Sequence, residues 1–154
     1  MSEHEAEIRD RLLAYLLDRR AFDLEAARSH EELGPLLDTE ASWEAFDDLN
    51  RELQVRYEEF QRRHRTSAAA AAIGTVVYES PPDADPARTE IVSIEVVGSR
   101  ATVRTLEDVN TFDVLPPFVY QYRLQREDGR WLLVDRWMEG DTKGSRTTWI
   151  KGLL

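Results

Sequence analysis

Residues 118–138 read FVYQYRLQREDGRWLLVDRWM, and this stretch decides the fold class. Asp128-Gly129 is a strong signal for a two-residue hairpin turn, because both positions tolerate positive φ. On each side of the turn, aromatic and aliphatic residues alternate with polar ones, as they do in strands with two different faces. The stretch therefore predicts an antiparallel hairpin with strands at 118–126 and 130–138.

Counting outward from the turn predicts the register of this hairpin. The predicted cross-strand pairs are Glu127–Arg130, Leu124–Leu133, Tyr122–Asp135 and Tyr120–Trp137. One face then carries most of the aromatic rings, and we assign it to the side covered by helices. Its residues are Phe118, Tyr120, Tyr122, Leu124, Trp131, Leu133, Asp135 and Trp137. A buried carboxylate is costly without a hydrogen bond, so we expect Tyr122 or an indole N–H to donate one to Asp135.

The rest of the second half is also rich in strand signals. Strands are predicted at 75–79, 90–97 and 100–107, and a short apolar tail surrounds Trp149 and Ile150. Gly98-Ser99 is predicted to be a tight turn, whereas the Pro-rich segment 80–86 and residues 108–117 are predicted to be loops.

The first part of the chain predicts two helices. Ser2 and Glu5 fit a capping box, in which each side chain satisfies a backbone amide at the start of the first helix. Asp23, with Phe22 before it as a hydrophobic staple, is predicted to cap a second helix that ends around Gly34-Pro35.

A third, longer helix is predicted to begin at Thr39. Its apolar residues form an unbroken stripe, which consists of Trp43, Phe46, Leu49, Leu53, Tyr57 and Phe60. We end this helix near Thr66-Ser67. A helix from 39 to 73 would be about 50 Å long, whereas a domain of this size has a radius of gyration of about 15 Å.

Length, charge and composition limit the function classes. The 154 residues predict one α+β domain over 1–154, with a helical half at 1–66 and a sheet half at 74–154. The 20 basic and 30 acidic residues give a net charge of −10, which argues against nucleic acid as a partner, and there is no cysteine. No apolar run approaches the ~20 residues of a membrane span, and the acidic start is unlike a signal peptide. We therefore expect a soluble, cytoplasmic protein with no membrane partner.

The strands resemble those of a known family. The residues that carry the resemblance are Ile91-Val92-Ser93-Ile94, Ala101-Thr102-Val103-Arg104-Thr105, Tyr120-Gln121-Tyr122-Arg123-Leu124 and Glu127-Asp128-Gly129-Arg130-Trp131-Leu132-Leu133. With the helices before them, they resemble the cone-shaped nuclear transport factor 2-like (cystatin-like) fold, in which N-terminal helices pack on a curved antiparallel sheet. Within that fold they are similar to the immunity proteins of bacterial polymorphic toxin systems. The resemblance implies a non-catalytic antitoxin that binds and neutralises a cognate protein toxin, without a cofactor and without catalytic residues.

Two surfaces are candidates for binding such a partner. The third helix carries a group of acids that lie mostly off its apolar stripe, namely Glu40, Glu44, Asp47 and Asp48. They form either a solvated outer face or an electrostatic surface for a basic toxin. The second surface is the loop 108–115, where Phe112 and Asp113 either cover the open end of the cone or expose an aromatic anchor ringed by acids.

A small-molecule pocket is the alternative function. The resemblance extends to isomerases and cyclases that use the space between sheet and helices, and the candidate pocket residues here are Tyr120, Tyr122, Asp135 and Trp137. A carboxylate among aromatic rings has a raised pKa and can act as a base. Bulky rings on the same face favour the opposite interpretation, a filled core. A third possibility is a homodimer through the other sheet face, where Val119, Leu132, Val134 and Met138 form an apolar patch.

The sequence gives only weak evidence for a catalytic histidine or a metal site. His4, His30 and His64 lie among charged neighbours in the helical half, and we expect them at the surface. Asp83-Ala84-Asp85 has the spacing of a carboxylate metal pair, but its Pro-rich setting favours a solvated loop, so no metal site is predicted.

Overall fold

The computed structural model describes residues 2–34, 40–108, 117–139, 149–152 and 154, and the structural statements below concern these residues. The helices are α1 (Glu3–Leu33), α2 (Glu40–His64) and the short α3 (Ser67–Ala71), and a 3-10 turn follows at Pro86–Arg88. The strands are β1 (Thr89–Val97), β2 (Arg100–Glu107), β3 (Phe118–Glu127), β4 (Arg130–Glu139) and β5 (Trp149–Gly152). They form one antiparallel sheet in the order β1-β2-β3-β4-β5, with the helices packed against it. The predicted α+β class is confirmed.

Helix α1 is continuous where two helices were predicted. Its capping box between Ser2 and Glu5 is confirmed by hydrogen bonds of 3.0 and 3.2 Å. The predicted second cap at Asp23 is wrong, because this residue lies inside α1 and is fully buried. Arg19, one helical turn earlier, pairs with its carboxylate at 3.3 Å, so Asp23 faces an internal cation instead of a free helix end.

The predicted break near Thr66-Ser67 is confirmed, but helix length does not cause it. Helix α1 has 31 residues, or about 46 Å at 1.5 Å per residue, so the fold accommodates a long helix. The chain leaves α2 because Arg65 forms a β-bridge with Leu133, and the amide of Thr66 donates to the Leu133 carbonyl at 3.0 Å. Thr66 then caps α3 through its side-chain oxygen.

The predicted strand at 75–79 is wrong. This segment joins no ladder, and two helix side chains, Gln54 and Arg19, form hydrogen bonds with backbone groups in it or beside it. Gln54 accepts a hydrogen bond from the amide of Val76 at 2.7 Å and donates one to the carbonyl of Gly74 at 3.1 Å. The other predicted strands are confirmed to within one residue at each end, and the predicted tail at Trp149 is the edge strand β5.

The β3–β4 hairpin begins as predicted and then shifts by one residue. Asp128 and Gly129 form the turn with φ of 51° and 77°, and the pairs Glu127–Arg130 and Leu124–Leu133 are confirmed. A β-bulge follows, so that Val134 has no opposite residue. Beyond it the pairs are Arg123–Asp135, Tyr122–Arg136, Gln121–Trp137 and Tyr120–Met138. The predicted pairs Tyr122–Asp135 and Tyr120–Trp137 are therefore wrong.

This shift changes which side chains face the helices. Arg136 and Met138, predicted on the other sheet face, lie with Tyr120 and Tyr122 on the side that packs against α1, hereafter the helix-facing side. Asp135 and Trp137 lie on the opposite, outer side. The apolar patch predicted for a homodimer therefore loses Met138.

The core lies between α1, α2 and the helix-facing side of the sheet. Its largest fully buried members include Tyr15, Leu12 and Leu16 from α1, Leu53 from α2, and Tyr122, Leu124 and Leu133 from the sheet. In this core the apolar stripe of α2 is fully buried only from Leu53 onward, with Tyr57 and Phe60, whereas Leu49 packs against the core and stays partly exposed. In the described part of the chain, no helix combines the length and the apolar character required to cross a bilayer.

Candidate functional site

The first three turns of α2 project beyond the core. Trp43, predicted in the buried stripe, is 56% exposed, and Phe46 and Leu49 are only partly covered. The ring of Trp43 lies edge-on to Phe46, with centroids 6.0 Å apart. An indole of this size in solvent is an uncompensated apolar surface, so this end of α2 is the first candidate for an interface.

Two further rings extend this surface. His30 of α1 contacts Phe46 edge-on at 5.6 Å and stacks on Tyr78 at 5.1 Å. Its ring nitrogens lie 3.0 Å from the carbonyl oxygen of Ala26 and 3.1 Å from Oδ1 of Asn50, which fixes the ring in place. We call the four rings the aromatic patch; its members are His30, Trp43, Phe46 and Tyr78.

The acids predicted as a partner surface surround this patch. We call them the acidic rim; its members are Glu40, Glu44, Asp47 and Asp48, and all four are exposed. Asp48 pairs with Arg51 at 2.9 Å. Within the described residues the other three have no ion-pair partner. On a helix, Glu40 and Asp47 fall three residues before and four residues after Trp43, so they flank its indole.

The acidic rim destabilises its own helix. Glu40, Glu44 and Asp48 follow one another at intervals of four residues, the spacing at which like charges on a helix repel. The positive end of the helix dipole compensates only the acids in the first turn. The spacing therefore has no stabilising role in the isolated chain, although it suits a positively charged surface brought against α2.

The second predicted surface stays a prediction. Phe112 and Asp113 lie outside the residues that the structure describes.

The predicted pocket residues are divided between the two sides of the sheet. Asp135, on the outer side, accepts hydrogen bonds from Arg123, one of them from Nε at 2.6 Å. The predicted hydrogen-bond donor to Asp135, which was Tyr122 or an indole N–H, is therefore wrong. The Arg123 guanidinium also lies 5.3 Å from the ring centre of Trp137, so Asp135 and Trp137 belong to an outer cluster. Tyr120 and Tyr122 remain on the helix-facing side without them.

Tyr122 is bonded to a carboxylate that sequence reasoning missed. Its hydroxyl donates to Oε2 of Glu107 at 2.9 Å, and Thr105 donates to the same oxygen at 2.7 Å. All three residues are buried. Burial raises the pKa of the Glu107 carboxyl, and burial together with Glu107 raises the pKa of Tyr122 well above its usual value. The available signal was the alternation of β2, in which Val103, Thr105 and Glu107 point to one face.

The cavity between α1 and the sheet is small. Its volume is about 110 Å³, and its lining includes Tyr15, Arg19 and Arg136. Pockets for substrates of ordinary size have several hundred Å³. This cavity has no room for them.

The histidines and metal-ligand candidates give no active site among the described residues. His64 is 3% exposed, so the predicted surface position is wrong for it. In the described part of the chain, no three His, Asp or Glu side chains are close enough together to hold a metal ion.

Comparisons with known proteins identified no relative of this chain. It matches no protein-family model, and neither a curated protein nor a solved structure is significantly similar to it.

Proposed function

We propose that this protein is a non-catalytic immunity protein that binds a basic protein toxin through the aromatic patch and the acidic rim. The observation that carries the proposal is the exposure of Trp43 between Glu40 and Asp47. Trp is one of the residue types enriched in binding hot spots, and the rim around the core of an interface is typically polar.

In this surface the aromatic rings supply affinity for the partner, and the acids raise the rate at which it associates. Burial of Trp43 and Phe46 against a partner removes apolar area from water and supplies affinity. The acidic rim attracts a basic partner over a distance and chiefly raises the association rate. A bound cation near Glu44 also relieves the repulsion within α2, so the partner stabilises the helix that it contacts.

The fold supports the same proposal at a coarser level. Helices precede a five-stranded antiparallel sheet, an order compatible with the nuclear transport factor 2-like fold that we propose for this chain. The alternative, an enzyme or carrier using Tyr120, Tyr122, Asp135 and Trp137, has less support, because these residues do not share a face and the cavity beside Tyr15 has only about 110 Å³.

The test uses the protein encoded by the neighbouring open reading frame. If that protein is a toxin, co-expression with this chain should rescue growth, and the two purified proteins should form a complex. In the double variant Asp47→Lys, Asp48→Lys, the association rate should fall about tenfold at low salt and less at high salt. The absence of a complex, or rescue that does not require binding, would contradict the antitoxin role.

A matched control distinguishes the effect of the charges on α2 from the effect of the protein's net charge on the association rate. The double variant Glu7→Lys, Asp10→Lys carries the same change in net charge on exposed residues of α1, away from the aromatic patch. Its association rate should stay within about twofold of the wild type. Equal losses in the two double variants would show that the interface lies elsewhere.

A further inference from the structure

Arg136 is a cation with no bonded acceptor. It lies on the helix-facing side of β4, with its guanidinium 4.6 Å from the ring centre of Tyr120. Its Nε is buried and has no hydrogen-bond partner, and no ion pair or hydrogen bond joins Arg136 to any described residue. A buried donor without an acceptor is costly, so this guanidinium suits an anion in the cavity that it lines.

Several acceptors on this side of the sheet are engaged by other groups. Glu107 accepts from Thr105 and Tyr122. The carbonyl oxygens of Leu154 and Val77 accept from Arg19, at 3.1 and 3.3 Å. The carboxylate of Glu79 is hydrogen-bonded to Asp83, and this bond and burial raise the pKa of Asp83 to about 6. Glu79 also lines the cavity, but so does a second cation, Arg19, so the lining carries two arginines against one acid.

The lining of the cavity beside Arg136 combines unused donors and apolar side chains with Arg19, Glu79 and Leu154. Tyr15 also lines it, and the Tyr15 hydroxyl makes no hydrogen bond with the described residues. Leu16, Val77 and Ala84 form the apolar wall. Two free donors and a small apolar surface in one cavity match a molecule with an anionic head and a short alkyl end.

We propose that this cavity binds a short-chain monocarboxylate, with its carboxylate on Arg136 and Tyr15 and its alkyl end against Leu16, Val77 and Ala84. A cavity of ~150 Å³ holds the six carbons of benzene. The 110 Å³ here therefore fits about four or five heavy atoms, the size of acetate or propionate. This site is separate from the α2 surface, so either proposal can fail without the other.

Titration calorimetry at constant ionic strength tests the site on the wild-type protein. Propionate should bind saturably at one site, and neutral propionamide, which has the same shape, should bind about tenfold more weakly or not at all, because a guanidinium prefers a charged acceptor. Hexanoate should not bind, because its volume is larger than that of the cavity. No saturable binding of formate, acetate or propionate, or equal binding of propionamide, would overturn the proposal.

Single substitutions test whether propionate binds at the proposed position in the cavity. Arg136→Gln should weaken propionate binding about tenfold or more, whereas Arg130→Gln, an exposed arginine on the same strand, should leave it unchanged. If Arg136→Gln does not fold, Tyr15→Phe keeps the ring and removes one donor, and binding should weaken by about threefold to tenfold. Equal effects of the Arg136 and Arg130 variants, or no effect of Tyr15→Phe, would contradict this placement.

Discussion

His64 and Asp18 join α2 to α1 through a hydrogen bond between Nε2 and Oδ2 of 2.7 Å. Nη1 of Arg11 lies 3.2 Å from Nδ1 of the same ring. Arginine only donates hydrogen bonds, so Nδ1 accepts one, and Nε2 carries the proton that it donates to Asp18. His64 is therefore neutral in the folded protein, although a carboxylate lies beside it.

We expect this contact to lose its stabilising effect at acidic pH. Burial lowers the pKa of His64 below its ordinary value of 6.5. A group of this kind stabilises the folded state above the unfolded pKa, and that stability is lost as the pH falls through the lower, folded pKa. Urea unfolding of the wild type and of His64→Gln from pH 8 to 5 measures the effect. The advantage of the wild type over His64→Gln should shrink as the pH falls, and an advantage that stays constant over this range would contradict the prediction.

Asp83 should produce a pH effect of the opposite sign. Burial and the hydrogen bond to Glu79 raise the pKa of Asp83 from 3.8 to about 6, so the folded state prefers the protonated form. Stability from this group is present below pH 3.8 and is lost as the pH rises through 6. Asp83→Asn imitates the protonated form and should gain about 1 kcal/mol relative to the wild type between pH 4 and 7.5, a value reduced because Asp83 is partly exposed. In a Glu79→Gln background the gain should be smaller; an equal gain would show that Glu79 is not involved.

The hydroxyl of Tyr122 should contribute to stability through Glu107. Tyr122→Phe leaves the buried Glu107 carboxylate with one donor fewer, and we expect the free energy of unfolding to fall by about 1–3 kcal/mol. Tyr78→Phe is the matched control, because it removes the same atom from an exposed ring. Denaturant unfolding of the two variants checks the prediction, and equal losses would argue against the Glu107 contact.

The two ends of the α2 stripe should differ sharply in their effect on folding. Phe60→Ala removes a buried ring that contacts Phe22, and it should cost about 3–5 kcal/mol. Trp43→Ala changes an exposed position, and it should alter the free energy of unfolding by about 0.5 kcal/mol or less. Thermal and urea unfolding compare the two variants. A large loss in Trp43→Ala would mean that its indole supports the fold and is not held available for a partner.

Local signals predicted the elements well where short-range chemistry decides the structure. The capping box of Ser2 and Glu5 and the turn at Asp128-Gly129 depend on neighbouring residues, so their positions follow from the sequence. The cap at Asp23 was predicted wrongly because an aspartate in a sequence is compatible both with a helix cap and with a buried ion pair. Only the contact with Arg19 distinguishes the two roles. The strand predicted at 75–79 failed for a similar reason, since its Val76 amide donates to Gln54 and its Val77 carbonyl accepts from Arg19, and both partners are distant in the sequence.

The candidate site could be predicted only in part. The acids Glu40, Glu44, Asp47 and Asp48 were placed on the outside of α2 from their position off the apolar stripe. The aromatic patch was missed because periodicity shows that Trp43 and Phe46 share a face but not whether another element covers that face. His30 and Tyr78 join the patch from distant parts of the chain, and such contacts have no signal in a single sequence.

The bulge at Val134 determines whether an anion or a cation of β4 faces α1. In an unbroken ladder β4 would turn Asp135 toward α1, and the buried side of the sheet would present an anion. One additional residue turns the next side chain inward, so that a guanidinium occupies this place. If Val134 instead paired with Arg123 and the ladder ran on without the bulge, a negative centre would replace the positive one, and Trp137 would replace Met138 on the helix-facing side.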